Sequence, residues 1–231
     1  GYYAFNNITN LTDVYYDGTY EEYKEITIGT NNDGLLNAVT HLLKENEKLC
    51  SYKGDLHVLL GKYPQTVVSD ENIINNLNNI TTVNSLGYIE YNGNEYAKVT
   101  ANPYGSDYKF TNGTSIISGN VYYFKVEPIK WRVLESNDGT YKLLSDMILE
   151  NTEFYNLEVY EDELVIDNRI INDITIYANN YEYSNIRAWL NGYDGTSYNV
   201  SDYSNNGFYD RAFTASQKEA IAIVEVDNGS E

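Results

Sequence analysis

The chain has 231 residues, 42% of them hydrophobic, and a formal net charge of −19. That length suits one large domain, or one domain with a small extension, and the apolar content supports a packed core rather than wholesale disorder. The charge argues against nucleic acid and against an anionic membrane surface, since no basic stripe offsets it, and no apolar run is long enough to span a bilayer.

Read from its start, the chain opens at Gly1 and its single methionine is Met147, so it reads as a processed or engineered piece. Residues 1–54 read as an N-terminal extension with one helix. Residues 20–28 are strand-like, and Asn32 or Asp33 caps a helix carrying Leu35, Leu36, Val39, Leu42 and Leu43 on one face. His41 falls on that helix. Cys50, in the polar stretch 48–52, is the only cysteine and has no partner for an internal disulfide.

Residues 55–231 read as an α+β domain, an antiparallel β meander of hairpins with a few short helices packed at its edges. The β-rich run 56–63 contains His57 and ends at Pro64. Ser69 then caps a short helix over 70–79, with Ile73, Ile74 and Leu77 at helical spacing. Three turn dipeptides follow: Asn92-Gly93, Asn112-Gly113 and Asp138-Gly139, each between runs of alternating polarity. Asn-Gly and Asp-Gly accept the positive φ of a type I′ turn, so each predicts a two-stranded hairpin. In the run 129–133, Ile129, Trp131 and Val133 take one face, and Lys130 and Arg132 the other. Ser184 caps a helix with Ile186, Trp189 and Leu190 on its buried side. Thr214, with Gln217 three residues on, forms the capping box of another.

Four motifs stand out: Leu60-Gly-Lys-Tyr-Pro-Gln-Thr66, Glu127-Pro-Ile-Lys-Trp-Arg-Val-Leu-Glu135, Ser184-Asn-Ile-Arg-Ala-Trp-Leu-Asn191 and Gly207-Phe-Tyr-Asp-Arg-Ala-Phe213. Together they resemble a family of bacterial, mostly secreted proteins known only as a domain of unknown function, distantly similar to C-type-lectin or sulfatase-modifying-factor folds. The resemblance covers residues 56–226. It implies a secreted or cell-surface location and no particular reaction. The family's C-terminal pattern, a WLRSP-like stretch and a GVRP-like closing strand, is missing here, so the domain reads as truncated. Residues 192–206 are an insertion relative to that pattern. They hold Tyr193, Asp194, Tyr198, Asp202 and Tyr203 among small polar residues, a composition like that of adaptable binding loops. These five are the candidate ligand-binding residues, and the insertion is expected to be exposed; a purely solvated insertion is the alternative.

No catalytic constellation emerges. Neither histidine has metal-ligand spacing, and the acidic residues Glu150, Glu153, Glu158, Glu161, Asp162, Glu163 and Asp167 lack the alternating loop that wraps calcium. No cofactor or metal is expected. Trp131 and Trp189 are assigned to core packing, and Arg132 and Arg187 to pairing with nearby carboxylates. The 25 tyrosines suit a recognition surface, or simply reflect an AT-rich genome. The leading expectation is a non-enzymatic secreted or surface module that recognises a glycan or a surface protein. A carboxylate-based hydrolase and an architectural spacer are the alternatives.

Overall fold

A computed structural model describes residues 1–44, 49–152, 169–171, 174–176, 180–193 and 202–224. The protein is predominantly β, broadly α+β, and built on a mixed sheet with strand order β1-β2-β3-β4-β7-β6-β5 and β8 paired to β7. The chain divides into two compact units: 1–60 with 128–148, and 61–127 with 149–231. The divisions fall inside β4, Asp55–Val67, at Gly61, and inside β7, Val121–Asn137, at Pro128.

In the first unit β1, Asp13–Tyr16, pairs parallel to β2, Val39–Leu42, with Asp13 opposite Val39. This corrects the expectation of a purely antiparallel sheet. A parallel pair needs a long crossover, and the segment holding α1, Tyr20–Lys24, and α2, Asp33–Leu36, supplies it. Residues 20–28, expected as a strand, begin as α1 because Thr19 and Glu22 form a capping box that starts a helix there. The helix expected from Asn32 onward stops after one turn, and the β-branched Val39 and Thr40 continue as strand. His41 therefore lies on β2. Asn32 does not cap with its side chain. It is 2% exposed, and its amide joins distant backbone, accepting from Phe5 N–H and donating to the Gly1 and Gly29 carbonyls, each at 2.8 Å.

Strand β3, Leu49–Tyr52, joins β4 through Lys53 and Gly54 at φ 50° and 86°, a type I′ turn in sequence terms less obvious than Asn-Gly. Strand β8, Thr140–Ser145, pairs with β7 across Asp138-Gly139 as expected, with a bulge at Leu134. Ala38, Val39, Leu42, Leu49, Cys50 and Val58 form the apolar interior of this unit, and Thr40, Ser51 and His57 are buried among them.

In the second unit β5, Ile89–Tyr91, and β6, Asn94–Thr100, form a hairpin closed by Asn92-Gly93, with Tyr91 opposite Asn94. The helix α3, Glu71–Asn78, is capped by Asp70 rather than Ser69: the Asp70 carboxylate accepts from the Asn72 and Ile73 N–H groups. Its Leu77, fully buried, packs with Ile89, Tyr96 and Tyr123, and Ile73 and Ile74 lie against them. The Asn112-Gly113 turn forms, but only a single bridge, Lys109 to Ser115, flanks it. Strands β9, Arg169–Ile171, and β10, Ile174–Ile176, pair antiparallel. Among the described residues three short helices follow: α4, Asn185–Asn191, α5, Phe208–Ala212, and α6, Ala215–Lys218. Ser184 caps α4 and the Thr214–Gln217 box caps α6, both as the sequence predicts. The buried face of α4 is Asn185 and Ala188. Ile186, Trp189 and Leu190 are half-buried, and so is Trp131.

Candidate functional site

The site is built on the β5–β6 hairpin. Asn92 and Gly93 at φ 47° and 72° make a two-residue loop that fixes the register, and Glu90 faces Glu95 directly across the ladder. Side chains directly opposite in an antiparallel pair share one face, so two carboxylates are presented together. An open concavity of about 430 Å³ lies there, lined by Glu90, Tyr91, Asn92, Asn94, Glu95 and Val126.

The two carboxylates differ in setting. Glu95 is tied on both oxygens: Oε1 accepts from Asn84 Nδ2 at 2.8 Å, and Oε2 accepts from Lys62 Nζ. Glu90 is exposed. Asn84 is itself held, since its Oδ1 accepts the backbone N–H groups of Leu86 and Tyr88, each at 3.0 Å. Beside them Tyr88, Ala97 and Val126, with Leu86, form an apolar cluster. Alternation along the strands places Tyr88 and Ala97 on the same face as Glu90 and Glu95.

Three of the four sequence motifs meet in this unit. Phe208 of α5 packs against Tyr63 at 5.2 Å, Trp189 at 5.6 Å and Phe213 at 5.7 Å between ring centroids. The Arg211 guanidinium lies 5.8 Å from both the Tyr63 and Tyr88 rings, within reach of a cation–π interaction. The Tyr63 hydroxyl donates to Glu150. Burial, and then that carboxylate, push the Tyr63 phenol far above its ordinary value. Burial also raises the Tyr88 phenol, against the opposing charge of Arg211. These tyrosines are neutral, packed groups. The fourth motif contributes Glu127, whose carbonyl accepts from Gln65 Nε2 at 2.8 Å and whose carboxylate accepts from Thr66 Oγ1 at 2.6 Å.

Of the residues singled out in the insertion, the described ones do not line this concavity. Asp194 and Tyr198 lie outside the described residues. Asp202 is exposed, while Tyr193 and Tyr203 are half-buried and turned back onto α4. Arg187 lies over the Tyr193 ring at 5.0 Å, and the Tyr203 hydroxyl accepts from the buried Asn185 amide at 2.9 Å. Arg187 also donates to the Glu182 carbonyl. Arg132 meets carboxylates as expected, Asp146 at 3.1 Å and Asp55 at 3.7 Å.

Of the acidic stretch expected from residue 150 onward, only Glu150 is described. Among the described residues no group of three or more His, Cys, Asp or Glu side chains is arranged to hold a metal ion. His41 stacks on Tyr15 and contacts Asp13 at 2.8 Å. His57, fully buried, has Nδ1 2.9 Å from the Asp55 carbonyl oxygen. Cys50 is buried, and desolvation pushes its thiol up to about 11. No helix is long and apolar enough to cross a membrane among the described residues.

Sequence reasoning missed Glu90, Glu95, Lys62 and Asn84. Only the Asn92-Gly93 turn signalled that two glutamates would face one another. No protein-family model, curated protein or solved structure matches the chain, so the family resemblance is carried by its motifs alone.

Proposed function

We propose that this chain is a non-enzymatic binding module, secreted or displayed on a bacterial surface, that recognises a glycan at the β5–β6 concavity. The observation that carries this reading is the lining itself. Glu90, Asn92, Asn94 and Tyr91 surround an open polar hollow, and carboxylate, amide and aromatic groups together suit sugar hydroxyls and the apolar faces of sugar rings. The motif resemblance to mostly secreted proteins supports the location and the proposed family membership. Exposed tyrosines outside this hollow, Tyr2, Tyr3, Tyr15 and Tyr141 in the first unit and Tyr104 and Tyr108 in the second, are the observation that favours the architectural-spacer alternative.

The test is a glycan array followed by titration calorimetry on any hit, with Glu90→Gln and Asn94→Ala compared with the parent chain. At least tenfold weaker binding in both variants is expected. Undiminished binding moves the site away from this hairpin, and a blank array removes the glycan.

A second reading, a carboxylate-based hydrolase, is favoured by the direct opposition of Glu90 and Glu95. Glycoside hydrolysis uses two such groups at defined separation, one as acid and one as nucleophile or base. Release of a chromophore from aryl glycosides, lost in both Glu90→Gln and Glu95→Gln, would establish it over simple binding.

A further inference from the structure

Lys62, Glu95 and Asn84 come from three separate segments and meet at one carboxylate. Glu95 bridges them, holding Lys62 Nζ on one oxygen and Asn84 Nδ2 on the other at 2.8 Å. The network fixes which end of the Asn84 amide is which. Two backbone N–H groups, of Leu86 and Tyr88, point at Oδ1, each at 3.0 Å, and a carboxylate faces Nδ2. A carbonyl oxygen held by two N–H donors is polarised, and the same donors stabilise an oxyanion formed on it. The amide nitrogen is meanwhile poised on a group able to give it a proton. An amine nucleophile waits on the other oxygen of that group. Leu86 and Tyr88, whose N–H groups hold Asn84, pack with Ala97 and Val126 in an apolar cluster.

We propose that Lys62 and Asn84 join in an intramolecular amide bond, with Glu95 as the proton-transfer residue. Glu95 takes a proton from the Lys62 ammonium, leaving the free amine. Nζ adds to Cγ of Asn84, and the carbonyl electron pair moves onto Oδ1, where the Leu86 and Tyr88 N–H groups hold it. Glu95 hands its proton to Nδ2 and takes the next one from the attacking nitrogen. The adduct collapses as the Cγ–Nδ2 bond breaks with its electron pair, and the ammonia released takes the remaining proton from Glu95, leaving as ammonium and restoring the carboxylate. In sum, an ammonium and a primary amide give a secondary amide and an ammonium ion, with no oxidant, reductant or co-reactant.

The bond ties β4 to the turn before β5 and encloses α3. In a chain with a single cysteine it provides a covalent staple of the kind disulfides supply elsewhere. This inference does not rest on glycan recognition: it uses Lys62, Asn84 and Glu95, not Glu90, Asn92 or Asn94.

The test is the intact mass of the purified chain under denaturing conditions, with a tryptic map. The expected mass is lower than that of the sequence by one ammonia, with no cleavage after Lys62 and a branched peptide joining Lys62 to Asn84. Glu95→Gln, which keeps the shape of the side chain, restores the full mass and the cleavage, as does Lys62→Arg should Glu95→Gln fail to fold. A folded parent chain of full sequence mass overturns the proposal. So does an ammonia deficit that maps to a succinimide at an Asn-Gly pair, or a bond that persists in Glu95→Gln.

Discussion

Gly61 and Phe213 are in contact so close that no side chain fits between them: a Cβ on Gly61 would stand 2.6 Å from the Phe213 ring and 2.7 Å from the Ala212 carbonyl oxygen. The glycine also sits at φ 72°, where L-residues carry a penalty of about 1–2 kcal/mol. Gly61→Ala is therefore expected to destabilise by at least about 2 kcal/mol, from backbone strain plus the clash. Gly54 is the control. It has φ 86° but nothing within 4 Å of its Cβ position, so Gly54→Ala should cost only about 1 kcal/mol. Urea denaturation midpoints of the two variants decide it, and equal losses would show that the Phe213 contact yields.

Trp131 donates from Nε1 to the Leu60 carbonyl at 2.7 Å. Trp131→Phe keeps much of the ring and removes that donor, at an expected cost of about 1 kcal/mol. Because the indole is only half-buried, Trp131→Ala should cost less than the roughly 3–5 kcal/mol of a fully buried aromatic. An unchanged midpoint for Trp131→Phe would show that the hydrogen bond adds nothing net.

Asp146 links Arg132, at 3.1 Å, with His57, at 3.5 Å, while only 15% of its side chain is exposed. Burial pulls its carboxyl upward, but Arg132 and then His57 outweigh this and hold it below the ordinary value of 3.8. A depressed carboxyl contributes stability that is complete above its unfolded value and is lost as pH falls through the folded one. As pH falls below about 4 the parent chain should therefore lose stability more steeply than Asp146→Asn, and the variant should be the less stable of the two at neutral pH. Denaturant midpoints across pH give the comparison, and parallel curves would remove Asp146 from the acid response.

Cys50 should be inert while the chain is folded. With its thiol raised from 9.0 to about 11, the thiolate population is roughly a hundredfold lower at neutral pH than for an ordinary thiol, and thiolate is the reactive form. A chromogenic disulfide reagent at mildly alkaline pH should react at least that much more slowly with native than with urea-unfolded protein. Equal rates would place the thiol at the surface.

Much of the local structure was legible in neighbouring residues. Asn92-Gly93 and Asp138-Gly139 announced hairpins that form, and Ser184 and the Thr214–Gln217 box announced helix starts. Each depends on dihedral preference or on a side chain reaching backbone three residues away. The N-terminal segment was misread for the opposite reason. The apolar spacing from Leu35 to Leu43 fits a helix, yet β2 forms because Val39 to Leu42 gain a parallel partner in β1, and pairing with a distant strand outweighs a weak local preference.

By itself, then, the sequence determined the turns, the caps, the mainly β character and an acidic surface, since those are properties of adjacent residues and of composition. Only the tertiary structure decided the candidate site. Lys62 and Glu95 are 33 residues apart, and Asn84 and Glu95 are 11 apart. What brings them to one carboxylate is the register of β5 on β6 and the course of the chain around α3, neither of which leaves a mark at the three positions themselves. The burial of His57 and the seating of Phe213 against Gly61 were decided in the same way, because a side chain's surroundings are set by whichever distant segments pack beside it.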